Sequence, residues 1–381
     1  MKLLFVVTNS ALNRGMNTGL ENLAWGLADL GHEVHVLAGG SEPVSHKYDF
    51  RKSVTYHFTG GSGAPGDHVS LGKRVIETRG IDVVSGWVRN IGPVAEALDI
   101  SGSRPKFVAN EGQIVKRHNL LRRVGSAVLK KRIPTWYDVF GVQKKYASMM
   151  DCFVAISGAV SNNIEDVYGV SAEHIVVVPR GVDTDFFSPG CGVIRWTGVE
   201  GQVRVLFTGN IAKEKGLVES ASAVVSQSAP VKFVLCGKDK GALSSVRNIV
   251  QNAGNHVVEY KGPVGPGELL AQLQESDIFL FCSWSEGLGK SLLEAMSVGL
   301  PVVVSDIPAF EDFVIDGVNA LVVPVRDSEA IAEALRRLAG DRLFRETLGR
   351  RARATVVSRF SKRSEVASWD GLLASLFGAG M

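Results

Sequence analysis

Short, continuous apolar runs alternate along this chain with amphipathic stretches whose apolar residues recur every three or four positions. The run "LLFVVT" (3–8) has the form of a strand buried on both faces of a parallel sheet. In "GLENLAWGLADLG" (19–31), Leu20, Leu23, Ala24 and Leu27 share one helical stripe, and Gly31 stops it. "EVHVLAG" (33–39) returns as a strand and completes a strand–helix–strand unit. Further strands are predicted at 81–87, 106–110, 152–157 and 174–179. Periodicity breaks across "RGVDTDFFSPGCGVIRWTGVEGQ" (180–202), where Gly, Pro and polar residues cluster. It then restarts with strands at 203–209, 231–237, 256–262, 277–283, 300–306 and 319–324, with helices such as "GELLAQLQES" and "SEAIAEALRRLAG" between them.

The pattern predicts an α/β protein with two Rossmann-like domains, each built on a parallel sheet. The expected bounds are 1–188 for the first domain, 189–202 for a linker and 203–362 for the second. A C-terminal helix, 363–381, is expected to return to the first domain. Ligands of open parallel sheets bind at the carboxyl ends of the strands. Two sheets facing one another would place a shared site in the cleft between them.

Composition changes this picture little. At 381 residues two domains are natural, and 45% hydrophobic with 21% charged residues is ordinary for a globular protein. A net charge of +3 does not point to nucleic acid. The distribution of charge is more telling. Lys116, Arg117, Arg122, Arg123, Lys130, Lys131 and Arg132 follow one another without an acid, and Trp136, Tyr137 and Phe140 come next. The run 116–132 reads either as a solvated helix face or as a peripheral contact with an anionic membrane surface or acidic acceptor. Cys152, Cys236 and Cys282 lie in strand-like runs, and no spacing suggests zinc or a disulfide framework. The apolar run in "MKLLFVVTNS" is shorter than a signal peptide is expected to carry, and no stretch nears about 18 apolar residues. A cytoplasmic protein is expected, with peripheral contact at the inner membrane face through 116–132 as the alternative to a solvated run.

Candidate chemistry concentrates in "EGLGKSLLEAM" (286–296). A buried strand leads into the loop "WSEGLGKS", and "SLLEAMSVG" is a helix closed by Gly299. Gly287 and Gly289 let backbone approach a ligand at the helix start, where free amides and the helix dipole favour an anion. Glu294 shares a helix face with Lys290 and Ser291, roughly 6–8 Å beyond the helix start. A diphosphate on the amides would leave Glu294 one sugar away, suited to accept from a ribose diol. The plainer alternative is a surface acid on an amphipathic helix. "GNIAKEKG" (209–216) follows another strand, and Lys213 and Lys215 there can meet a phosphate. "TNSALNRGMNTG" (8–19) has two glycines but not the dinucleotide fingerprint spacing, and Glu42 is a weak ribose candidate. The scattered histidines give no metal site, and no Ser/His/Asp arrangement emerges.

"EGLGKSLLEAMSVGLPVV" (286–303) resembles the signature of the retaining nucleotide-sugar glycosyltransferases of family 4, which have the GT-B fold of two Rossmann-like domains facing each other across a cleft. "GHEVHVLAGG", "VPRGVDTDFFSP", "LFTGNIAKEKG", "DGVNALVVPVRD" and "RFS" follow the family's order. The resemblance implies transfer of a sugar from a nucleoside-diphosphate sugar, with UDP or GDP expected, to an acceptor hydroxyl. It implies no metal and no cofactor beyond that co-substrate. By the same resemblance, Glu294 binds the donor ribose and Glu286 faces the donor sugar. Gly287, Leu288 and Gly289 present amides to sugar and phosphates. Lys215 neutralises the leaving diphosphate, with Gly209 in the same phosphate loop. Val264 meets the base, and Gly15 lies in a loop closing on phosphates and acceptor.

Three positions depart from the family pattern. Asn210 stands where an arginine is usual, which leaves Lys213 or Arg180 to substitute. Glu111 stands in the slot of a histidine near the transferred sugar, and His118 is not its equivalent. Lys290 replaces an apolar or small residue and adds charge near the phosphates. Trp87, Arg89 and Glu111 are candidates on the acceptor side, by position. The departures leave open a GT-B nucleotide-sugar binder, epimerase or phosphorylase; an NAD-dependent oxidoreductase ranks below these.

Overall fold

The computed structural model describes residues 1–7, 18–40, 53–60, 65–98, 104–111, 144–190, 202–251 and 253–378. The chain forms two compact units: Met1–Arg180 with Glu365–Met381, and Gly181–Ser364. The boundary falls at Arg180/Gly181 rather than after 188. Residues 181–188 belong to the second unit because Val182 bridges Ser361 and Phe187 O accepts from the Ser297 hydroxyl at 2.6 Å. Of the expected linker, 191–201 lies outside the described residues.

The first unit holds a parallel sheet in the order β3-β2-β1-β4-β5-β6-β7 among the described residues. Its strands are β1 Lys2–Val7, β2 Glu33–Ala38, β3 Val54–Phe58, β4 Val83–Gly86, β5 Lys106–Glu111, β6 Cys152–Ala155 and β7 Ile175–Val177. The central strands are buried along their length, which matches their unbroken apolar sequence. Phe5 and Val36 pack with Leu23 and Leu27 of the helix Thr18–Asp29. The C-terminal helix Lys362–Leu376 completes this core with Trp369, Leu372 and Leu373, and Trp369 meets Phe5 edge-on at 6.1 Å. One strand, β3, has no counterpart in the sequence prediction. "VTYHF" is only half buried at the sheet edge, so it lacks the unbroken apolar run that marks the other strands.

The second unit holds β8 Val203–Thr208, β9 Val231–Cys236, β10 Val257–Gly262, β11 Ile278–Phe281, β12 Val302–Ser305 and β13 Leu321–Val323. They form a parallel sheet in the order β10-β9-β8-β11-β12-β13. The order reverses between β8 and β11, which lie side by side through the pairs Ile278–Val205 and Phe279–Leu206. Such a switch point opens a crevice at the carboxyl ends of the two strands. The loops that follow β8 and β11 carry Lys215 and Glu286.

Candidate donor site in the second unit and a buried acid in the first

The loop after β8 turns sharply into the helix Leu217–Val225. Gly216 makes the turn with φ 66, and a Cβ there would lie 2.0 Å from the carbonyl oxygen of Cys282, after β11. Only glycine lets the two backbones come this close. The contact brings together residues 71 apart in sequence: Lys215 Nζ donates to Glu286 Oε1 at 2.5 Å, with both side chains largely buried. The Trp284 backbone N–H donates to Glu214 O at 2.9 Å and ties the same two loops again.

The helix Lys290–Val298 begins at Gly289, whose φ of 81 sets the entry angle, and no side chain caps it. A Cβ at Gly289 would lie 3.1 Å from ring carbons of Phe281 and Phe310. Leu288 is buried beneath the loop, and Gly287 lies between it and Glu286. An uncapped helix start with its own amides is suited to an anion. One turn in, Glu294 is only 6% exposed. Burial raises its carboxyl above the usual range, opposed by Lys290, whose Nζ is 3.4 Å from Oε1. Glu294 is therefore not a surface acid. Lys290, expected to add charge near phosphates, turns to Glu294 instead. Ser297 Oγ and the Arg353 guanidinium pin the far end of the helix, donating to Phe187 O and Ser297 O respectively.

Gly209 donates its N–H to Cys236 O at 2.9 Å, and Asn210 beyond it is exposed. Of the two cations expected to replace the missing arginine, Lys213 is exposed in the same loop. Arg180 belongs to the first unit and faces Glu365 at 3.9 Å. Val264 is partly buried after β10. Gly15, Glu42, His118 and the basic run 116–132 lie outside the described residues.

In the first unit, β4 and β5 end side by side, pairing Gly86 with Ala109. This brings Glu111 to the start of the helix Val88–Ala97, where Val88 N–H donates to Glu111 Oε1 at 3.4 Å. Arg89 stacks on Trp87 with 4.3 Å to the ring centroid. Burial lifts the Glu111 carboxyl to about 7, against the Val88 N–H and the Arg89 charge. The Asn110 amide oxygen and the Ser85 hydroxyl are buried nearby in sequence without hydrogen-bond partners among the described residues. Sequence reading overlooked a third cluster, at β2 and β3: His35 bonds His57 at 3.0 Å and Glu33 at 3.0 Å. His57 sits on the unpredicted strand, which is why no spacing revealed it. Among the described residues no three His, Cys, Asp or Glu side chains gather as a metal site would need, and no helix is long and apolar enough to cross a membrane.

A family model described as glycosyl transferases group 1 matches residues 196–355, and one described as glycosyltransferase family 4 matches 13–186. The chain belongs to the group 1 glycosyltransferases. Within this family it is 30% identical over 217 residues to a D-inositol 3-phosphate glycosyltransferase of Corynebacterium aurimucosum, covering 53% of this chain and 52% of that one. It is 27% identical over 162 residues to the capsular polysaccharide biosynthesis glycosyltransferase CapM of Staphylococcus aureus, covering 41% and 42%. The chain spans about half the length of the curated relatives it matches. The group 1 fold extends over the whole chain. Sucrose-phosphate synthase of Thermosynechococcus elongatus has a TM-score of 0.78 at 18% identity, with 100% of each chain covered. Anabaena HepE in complex with UDP has a TM-score of 0.78 at 18% identity, covering 98% of this chain and 100% of that one.

Proposed function

We propose that this chain is a retaining glycosyltransferase that moves a sugar from a nucleoside-diphosphate sugar to an acceptor hydroxyl. The observation that carries this reading is the Lys215–Glu286 pair set before an uncapped helix start, with the buried Glu294 one turn further in. Glu294 would accept from the ribose diol, beside the Lys290 ammonium that already faces its buried carboxylate. The amides at the helix start and Lys215 would take the diphosphate, and Glu286 would face the sugar.

In this scheme the acceptor oxygen bonds to the anomeric carbon on the face from which the diphosphate departs. The bond between that carbon and the phosphate oxygen breaks, its electron pair stays on the diphosphate, and the acceptor proton passes to a phosphate oxygen. No protein nucleophile is needed. The protein stabilises negative charge growing on the leaving group, and each well-placed donor of this kind contributes about 3–4 kcal/mol. The co-substrate is the only cofactor in this reading, and the step proceeds without a metal. UDP is the favoured nucleotide, since similar folds are recorded with UDP and UDP-glucose.

Titration calorimetry with UDP-, GDP-, ADP- and dTDP-sugars tests the donor, with micromolar binding of one of them expected. Binding of none would end the reading. The anomeric configuration of the product, read by NMR, tests retention. Donor binding without acceptor-dependent release of nucleoside diphosphate would favour a nucleotide-sugar binder, a second reading that the exposed Asn210 supports.

A further inference from the structure

Arg326 is the one non-glycine residue with a left-handed backbone among the described residues, at φ 67. It follows β13 and precedes Asp327, whose carboxylate caps the helix Ser328–Gly340 by accepting from Glu329 and Ala330. A glycine would take this conformation without strain, and an arginine holds it only if something else depends on the side chain.

That side chain makes one distinctive contact. Its guanidinium lies 3.8 Å from the centroid of the Trp284 ring. No ion pair engages Arg326 among the described residues, so the charge is directed at the indole face rather than at an acid. Trp284 in turn stands two residues before Glu286 and gives its backbone N–H to Glu214 O, beside Lys215. A continuous set of contacts therefore runs from Arg326 through Trp284 to the Lys215–Glu286 pair. The indole N–H is buried and has no partner among the described residues, so hydrogen bonding through that group does not hold the ring. The stack on Arg326 does, as cations over tryptophan faces commonly do.

We propose that Arg326 is a positioning residue, whose strained backbone is retained because its stack on Trp284 holds the loop 283–289 in register with the loop that carries Lys215. This rests on the donor-binding role given to those loops above. It goes beyond that role in assigning a task to a residue from the far edge of the sheet.

The test compares wild type, Arg326→Gly, Arg326→Lys, Trp284→Leu and the double variant Arg326→Gly/Trp284→Leu. Arg326→Gly removes the strain and should raise the melting temperature by about 1–3 °C. It should also speed native-state amide exchange of the peptide spanning 283–289, while peptides from β8 and β9 stay unchanged. With a nucleotide sugar, its KM should rise about 5–20-fold with a smaller change in kcat. Arg326→Lys keeps the charge and the strain but not the flat stack, and its KM should fall between those of wild type and Arg326→Gly. Trp284→Leu should reproduce the KM change, with no further loss in the double variant. Unchanged exchange in Arg326→Gly would overturn the proposal, as would full additivity in the double variant. Amide exchange reads the loop without any donor. The proposal can therefore be judged even if wild type binds no nucleotide sugar, which would instead end the donor reading.

Discussion

Two glutamates, one in each unit, stand at the ends of buried strands in opposite electrostatic conditions. Glu286, after β11, meets Lys215 at 2.5 Å across two loops held together by backbone contacts. Glu111, at the end of β5, has one backbone N–H at 3.4 Å, while the neighbouring guanidinium lies over Trp87. Burial then raises the Glu111 carboxyl to about 7. The same residue type is thus held as half of an ion pair in one unit and as a proton reservoir near neutrality in the other. What separates them is whether a cation pairs directly with the carboxylate, since burial alone favours the neutral acid. The diphosphate site proposed for the second unit would need fixed positive charge, and Lys215 is placed to supply it. The first unit offers an acid whose charge follows pH.

The most direct way to break the contrast is Lys215→Met, which leaves Glu286 as lonely as Glu111. We expect kcat/KM for sugar transfer to fall by about 10²–10³, the usual loss for one charge-stabilising donor, with little change in circular dichroism. Steady-state release of nucleoside diphosphate measures it, and a loss under threefold would remove Lys215 from the chemistry.

Gly216→Ala attacks the backbone contact that makes the pair possible. A Cβ 2.0 Å from Cys282 O, at a positive φ, should cost more than about 3 kcal/mol and lower the melting temperature of the second unit by roughly 6–12 °C. Scanning calorimetry checks this, and a wild-type melting curve would show that the two loops are not held by that approach.

Glu294→Gln keeps the shape and removes the charge. Donor affinity should drop by about tenfold to a hundredfold, the range for a hydrogen bond to a charged group. Because burial raises the Glu294 carboxyl, wild-type donor affinity should also decline as pH falls through that raised value, and the Gln variant should lose this slope. Calorimetric Kd values across pH separate the two effects.

The last effect is on stability alone, through Glu111→Gln. The folded pKa of about 7 lies above the ordinary 4.5, so the folded state binds the proton more tightly than the unfolded chain. The stabilisation is complete below the ordinary value and is lost as pH rises through about 7. Wild type should therefore lose stability relative to Glu111→Gln between about 4.5 and 7. Urea unfolding at several pH values reads the difference, and parallel curves would mean that Glu111 is not buried as an acid.

Much of this protein was legible in its sequence. Unbroken apolar runs such as "LLFVV" and "DIFLF" identify strands buried on both faces, because a parallel sheet covered by helices leaves no polar side. The helix stops at Gly31 and Gly299, and the place of Glu294 on its helix, follow from local rules that reach only a few residues. β3 escaped because an edge strand shares its surface with water, so its sequence carries no unbroken apolar run.

Contacts across long sequence separations were decided only by tertiary structure. No spacing rule joins Lys215 to Glu286, Arg326 to Trp284 or His35 to His57, since each pair meets where separate strands or loops converge. Lys290 shows the limit from the other side. Its four-residue spacing to Glu294 was visible, but whether its charge serves a phosphate or a carboxylate depended on how deeply the helix buries that acid. Local sequence determines which residues share a face or end an element. The charge a residue carries, and the partner that stabilises it, depend on distances set only when the sheet order brings remote loops together.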